Sequence, residues 1–269
     1  MKTARYLLSD EGRQALIAFV SRETLFAFDL DGTLAPIVDD PDKAAVPKEV
    51  IVGLEELKKW AYVAIITGRS CEDAKIRMGF IPHRIVGNHG VQGLPGWEAR
   101  EEEFQKTVRD WELQLRRSGF IKRDPGIRIE NKKLSIALHY RAVRNPVEAR
   151  SILDHVIDSL IPPPRRIGGK YVENLLPEDA PDKGDAFLQL MNLAGRAKGF
   201  FVGDDETDED VFHVAGDKVF SVRVGRNYHS RARYYLKHQG EIAPMLKIIN
   251  RVLSGDAERS SVVWRGGEG

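Results

Sequence analysis

Short apolar runs that stop at a turn residue punctuate the first third of the chain. Leu25 to Asp29 leads into Gly32, Tyr62 to Thr67 into Gly68, and Arg84 to Val86 into Gly87-Asn88-His89-Gly90. Uninterrupted apolar stretches of this length suit strands buried on both faces. Around them the spacing becomes helical. One helix is predicted over Tyr6–Val20 and another over Pro47–Trp60, where Val50, Leu54 and Leu57 share a face behind a first-turn proline. The alternation returns after Lys183, with a helix over about 184–197, a strand over Gly199–Val202, a helix from Glu209, a strand over Val219–Val224 and a last helix over Ile242–Leu253. Strands alternating with helices predict an α/β fold, a Rossmann-like parallel sheet with helices on both faces.

The middle of the chain has a different texture. Glu98–Arg117 is a charge-rich helical pattern, and Gly126–Tyr140 predicts two antiparallel strands around a polar turn at Asn131-Lys132. A helix over Pro146–Leu160 is broken by Pro162-Pro163-Pro164, and a strand near Lys170–Leu176 follows. These elements predict an inserted α+β domain over residues 92–177, between core segments 1–91 and 178–269. The polar, Gly-rich end from Ser254 onward is expected to fray.

Composition narrows the function classes. The 269 residues are 42% hydrophobic, enough for a sizeable core and a second domain. With 41 basic and 40 acidic side chains, the net charge of +1 offers no long-range field to nucleic acid or an anionic membrane. Any anionic substrate must therefore be attracted locally. Cys71 is the single cysteine, which excludes an internal disulfide and argues against a cysteine zinc site. No apolar stretch approaches the roughly 20 residues that span a bilayer, and the N-terminus lacks a secretory pattern. A cytoplasmic monomer is expected. The basic, tyrosine-interleaved stretch from Arg223 to Lys237 is expected to be a solvated helix face, and Cys71 and His213 packing residues. Gly168-Gly169-Lys170 lacks the rest of a phosphate-binding P-loop, and Asp39, Asp40 and Asp42 are expected on an exposed loop.

The candidate chemistry gathers at strand ends. Asp29-Leu30-Asp31-Gly32-Thr33 sets two carboxylates where a buried strand meets a tight turn, and open α/β sheets bind ligands at that rim. Thr67 ends the second strand, Asp204 and Asp205 follow a later one with Asp208 a turn beyond, and Lys183 precedes a helix. Carboxylates suit Mg2+, a hard cation that prefers oxygen. A hydroxyl and an ammonium group suit a phosphoryl group.

In order, Asp29-Leu30-Asp31-Gly32-Thr33, Thr67, Lys183 and Gly203-Asp204-Asp205-x-x-Asp208 resemble the four motifs of the haloacid dehalogenase superfamily of phosphatases. The resemblance implies that Asp29 attacks phosphorus and forms a phospho-aspartate. It implies that Asp31 protonates the leaving alcohol and then activates water. Mg2+ would be held by Asp29, the backbone of Asp31, Asp204 and Asp205, with Thr67 and Lys183 completing the charge clamp. Asp208 would orient metal-bound water or Lys183. The insert resembles the large cap of this superfamily.

Three strings are similar to those of trehalose-6-phosphate phosphatases: Gly203 through Phe212, Asn88-His89-Gly90, and Lys133 through Arg141. They imply substrate-binding roles for Gly68, Arg69, Asn88 and His89, and for Lys133, His139 and Arg141 on the polar face of an alternating strand. The family's Glu-x-Arg-Pro string is altered to Glu173-Asn174-Leu175-Leu176-Pro177, with Glu173 one residue out of step and the arginine absent. Glu173 is still expected in the cleft. A sugar phosphate is the expected partner, trehalose 6-phosphate first. Glucosyl- or mannosyl-phosphoglycerate, sucrose phosphate, phosphomutase chemistry and a non-catalytic sensor are the alternatives.

Overall fold

A computed structural model describes residues 4–38, 44–120, 124–169 and 171–255. Asp39, Asp40, Asp42, Lys170 and the tail beyond residue 255 lie outside them. The chain divides into two compact units, Met1–Gly93 with Asp182–Gly269, and Leu94–Pro181.

The first unit begins with β1 (Arg5–Tyr6), α1 (Asp10–Phe19), β2 (Thr24–Phe28), α2 (Lys48–Trp60), β3 (Tyr62–Ile66), α3 (Cys71–Met78) and β4 (Arg84–Val86). The second comprises α4 (Glu98–Ser118), β5 (Arg128–Asn131), β6 (Ile136–His139), α5 (Pro146–Asp158), β7 (Arg165–Gly169) and β8 (Val172–Leu176). The chain then returns to the first unit with α6 (Lys183–Leu193), β9 (Lys198–Gly203), α7 (Glu209–Val214), β10 (Val219–Val224), β11 (Tyr234–Leu236) and α8 (Ile242–Ser254).

The seven strands of the first unit form one parallel sheet in the order β1-β11-β10-β9-β2-β3-β4. This is the α/β sheet that the alternation predicts. Every residue of β2 and β10 is buried, as a sheet covered on both faces requires. Phe28 pairs with Ile65 on one side and Val202 on the other. That register brings the C-terminal ends of β2, β3 and β9 to one level. Among the helices, α8 buries Ile242, Met245, Leu246, Ile249 and Leu253, a stripe three to four residues apart. No helix among the described residues is long and apolar enough to cross a membrane.

The second unit is a four-stranded antiparallel sheet, β5-β6-β8-β7. Val108, Trp111 and Leu115 of α4 join Leu153 and Ile157 of α5 and Ile136, Leu138 and Leu175 of the sheet in one apolar cluster. Helix α4 ends at Gly119, whose φ of +70° is the left-handed stop glycine adopts without strain.

Several expectations are corrected. Tyr6 belongs to an edge strand paired with Tyr235, and the helix starts only at Asp10, behind the cap of Ser9. The stretch from Arg223 to Lys237 is no helix face: Arg223 lies buried in β10, and Tyr234–Leu236 form β11, with the Tyr234 ring stacked on Phe220 at 4.4 Å. The sequence pattern also gave no sign of α3 or β7. Cys71 is buried as expected, but His213 is exposed.

Candidate active site

The rim where β2, β3 and β9 end carries the acidic residues. Asp29 leaves β2 with its N–H donated to Val202 O at 2.9 Å, so it remains tied to β9. Its side chain is buried, as is Lys183 at the first position of α6. Lys183 Nζ donates to Asp29 Oδ1 and to Asp208 Oδ1, both at 2.8 Å. Asp208 in turn accepts the backbone N–H groups of Asp204 and Asp205 on its other oxygen, at 2.8 and 2.9 Å. Thr33, which the sequence reading did not single out, donates its hydroxyl to Asp204 Oδ1 at 3.0 Å.

Carboxylate oxygens of Asp29, Asp204 and Asp208 lie within 4.8 Å of one another, a set that could hold a metal ion. Three carboxylates against one ammonium leave two negative charges, the amount one divalent cation neutralises. Burial pushes the Asp29 carboxyl up; Lys183 pulls it back, while Asp208 and Asp204 push it further. Burial, then Asp208, push the Asp204 carboxyl up to about 7 against the pull of Thr33 and Lys183. Burial alone would lower the Lys183 ammonium, but Asp208 and Asp29 outweigh it and hold the charge well above the ordinary range. The donors are all hard oxygens, so the site fits Mg2+ better than a soft metal.

Two glycines give these groups their room. A Cβ on Gly32, where φ is +84°, would stand 2.1 Å from Asp204 Oδ2, and one on Gly203 would stand 2.1 Å from Asp208 Cγ. Gly32→Ala therefore combines a disfavoured backbone with a direct overlap. It is expected to destabilise the protein by about 2 kcal/mol or more, read as a lower urea midpoint. An unchanged midpoint would contradict the contact between Gly32 and Asp204.

Asp31 and Asp205 stand apart from the cluster through their side chains. Both Asp31 oxygens accept from Arg69, Oδ2 from Nε at 2.5 Å and Oδ1 from Nη2 at 2.6 Å. Asp73, itself bound to Arg77, accepts from the third nitrogen of that guanidinium at 2.6 Å. Asp205 is exposed and caps the turn after it by accepting the Glu206 N–H. The metal-competent set thus has Asp208 where the sequence reading had Asp205. The Asp205-x-x-Asp208 capping box was the available signal.

Around Thr67, buried at the end of β3, the chain is drawn close. Thr67 Oγ1 accepts the Arg69 N–H at 3.2 Å, and Thr67 O accepts the His89 N–H at 3.0 Å. Asn88 and His89 hold φ of +49° and +59°. A Cβ on Gly68 would come within 2.5 Å of the His89 ring, so Gly68 is the clearance for that imidazole. Gln92, another residue the sequence reading missed, accepts from Asn88 Nδ2 at 3.2 Å and from the Cys71 N–H at 2.8 Å.

The remaining expected residues lie in the second unit. Lys133 is exposed in the turn before β6 with φ of +70°, and Arg141 is exposed beyond the strand. His139 is in β6 and meets Glu130 at 2.7 Å. Glu173 pairs across the ladder with Leu138 and shares a face with Leu175, both in the apolar cluster with α4 and α5. It is buried, 3.5 Å from Arg166 and 3.9 Å from Arg150 of α5. An open-cleft position for Glu173 is therefore corrected: strand parity sends it under the helices and turns Asn174 the other way.

The sequence model of the trehalose-phosphatase family matches residues 27–239. A trehalose-phosphate phosphatase of Mycobacterium ulcerans is 32% identical over 223 residues, covering 77% of this chain and 55% of its own length. A probable trehalose-phosphate phosphatase G of Arabidopsis thaliana is 29% identical over 254 residues, covering 82% and 67%. The chain thus spans about half to two thirds of the length of these relatives. Among solved structures, the C-terminal domain of the C. albicans trehalose-6-phosphate phosphatase superposes with a TM-score of 0.71 at 20% identity, covering 93% of this chain and 98% of that one. This likeness shows the shared fold.

Proposed function

Because the chain belongs to the trehalose-phosphatase family, we propose that it hydrolyses trehalose 6-phosphate to trehalose and phosphate through a phospho-aspartate on Asp29. The observation that carries this reading is the buried Lys183 shared between Asp29 and Asp208, with Asp204 beside them.

In the proposed reaction an Asp29 oxygen attacks phosphorus as the bond to the sugar oxygen breaks, so the barrier is divided between two displacements. Asp31, having taken up a proton from solvent, gives it to the departing sugar oxygen and regains one from the water that cleaves the acyl phosphate. Since Arg69 holds both Asp31 oxygens, it must yield one of them before Asp31 can reach the leaving group. Lys183 fixes the orientation of Asp29 and, with the Thr67 hydroxyl, faces the phosphoryl oxygens. Asp29, Asp204 and Asp208 would hold Mg2+, which when bound neutralises charge on the phosphoryl oxygens. His139, Lys133 and Arg141 are proposed to contribute to sugar selectivity.

The test is Mg2+-dependent phosphate release from trehalose 6-phosphate beside glucosyl-phosphoglycerate, sucrose phosphate and simple hexose phosphates. Trehalose 6-phosphate is expected to give the highest kcat/KM. Preference for another member would reassign the sugar, and binding without release would refute hydrolysis.

The raised Asp204 carboxyl adds a pH test. Its folded value of about 7 exceeds the ordinary 3.8, so the metal-free folded state binds this proton more tightly than the unfolded chain does. The associated stability is complete below pH of about 4 and is lost as pH rises through about 7. Metal-free protein is expected to melt lower at pH 8 than at pH 5. Mg2+ should raise Tm more at pH 8, where it displaces no proton. An equal Mg2+ increment at both pH values would contradict proton–metal exchange at Asp204.

A further inference from the structure

A recess opens beside Asp204, on the flank formed by the loop after β10. Its volume is about 400 Å³, and its walls include Arg223, Arg226, Asn227, Tyr228 and His229. The chain builds it deliberately. Gly225, with φ of +80°, turns the chain out of β10 and donates its N–H to Leu236 O at 2.8 Å. Asn227 Oδ1 then accepts the His229 N–H at 2.9 Å and closes the loop on itself.

The recess is rich in donors. Arg223 is nine-tenths buried, and its Nη1 donates to Asp205 O at 3.0 Å and Glu209 Oε1 at 2.9 Å, so the guanidinium is held in place. The second oxygen of Glu209 accepts the Arg231 N–H at 2.9 Å, which anchors the far end of the loop. Arg226 differs: among the described residues it forms no ion pair. Its guanidinium lies 4.6 Å from the Tyr228 ring centroid and 5.5 Å from that of Tyr235. Stacking on rings orients an arginine without cancelling its charge. The carboxylate in the wall, Asp204, belongs to the metal-competent set. With a cation bound there, the recess presents uncompensated positive charge, an amide, a phenol and an imidazole.

We propose that this recess is a binding site for a second oxyanion, a phosphate or carboxylate group separate from the reacting phosphoryl group. Arg226 is its principal charge and Tyr228 its exposed apolar wall. The anion has two possible sources of the same chemistry, a free small metabolite or an additional acidic group on a substrate.

The probe is sodium sulfate, added to the Mg2+-loaded protein and followed through backbone amide resonances, a readout independent of turnover. Saturable shifts are expected at residues 225–230, in addition to any near Thr67 and Lys183. Arg226→Ala, at an exposed position that leaves the fold intact, should weaken the loop response about ten-fold while leaving the Thr67 and Lys183 response unchanged. Arg226→Lys should recover part of it. Unmoved loop resonances, or loop shifts equally strong in Arg226→Ala, would overturn the proposal. Kinetics separate the sources. If a free anion is the ligand, the sulfate effect that Arg226→Ala removes persists at saturating trehalose 6-phosphate. If the substrate supplies it, Arg226→Ala raises KM about ten-fold for a carboxylated glycosyl phosphate and leaves trehalose 6-phosphate unchanged. Failure of hydrolysis would leave the amide result standing, so the two readings fail separately.

Discussion

Asp29→Asn is expected to reduce phosphate release from trehalose 6-phosphate by about 10,000-fold or more, the scale on which loss of a covalent nucleophile is felt. The amide keeps the shape of the carboxylate and can still accept from Lys183 Nζ, so the hydrogen bond at 2.8 Å need not be lost. It cannot, however, form the acyl phosphate. The substitution also removes a charge that burial penalises first and the neighbouring Asp208 and Asp204 carboxylates penalise further, against the pull of Lys183. Asp29→Asn should therefore be at least as stable as the parent in the absence of metal. The pairing of full stability with vanishing turnover is the diagnostic outcome. Turnover within ten-fold of the parent would place the nucleophile elsewhere, and a collapse in stability would make Asp29 a structural residue.

Lys183→Met should have the opposite profile, with stability and activity lost together. Lys183 and Asp208 are almost wholly buried, and among the described residues the ammonium is the one cation hydrogen-bonded to both Asp29 and Asp208. Removing one partner from a buried ionic group commonly costs about 3–5 kcal/mol. Methionine fills much of the lysine volume, so the loss reports on charge more than on a cavity. Because the remaining carboxyls can take up protons, the deficit in urea unfolding should be larger at pH 8 than at pH 5.5. Mg2+ should restore part of it. A deficit that ignores pH would mean that packing, not charge, makes Lys183 important.

Much of the rim was legible because its rule is local. A fully apolar strand running into Asp-Gly-Thr says both that Asp29 ends a buried strand and that the next residues turn. The same holds for Thr67 before Gly68 and for Asp204 after β9. Side-chain direction was less legible. Asp205 and Asp208 are both acids in one short string, and only the turn geometry decides that Asp205 caps while Asp208 reaches Lys183. Glu173 failed for a related reason: in a strand, one step in register exchanges the two faces, and the apolar partners Leu138 and Leu175 fix which face is covered. The strands β1 and β11 escaped notice because they are two and three residues long. The place of β1 at the sheet edge comes from pairing with β11, more than two hundred residues away, and no local pattern encodes that.

The order of the parallel sheet also bears on how the chain emerges from the ribosome. Strand β2 finds one neighbour, β3, within forty residues, but its other neighbour, β9, follows the whole second unit. At synthesis rates of about 5–20 residues per second, the nascent chain exposes the apolar edge of Thr24–Phe28 for roughly 10–35 seconds. Chaperone capture during translation should concentrate in that interval and end when Gly203 clears the exit tunnel.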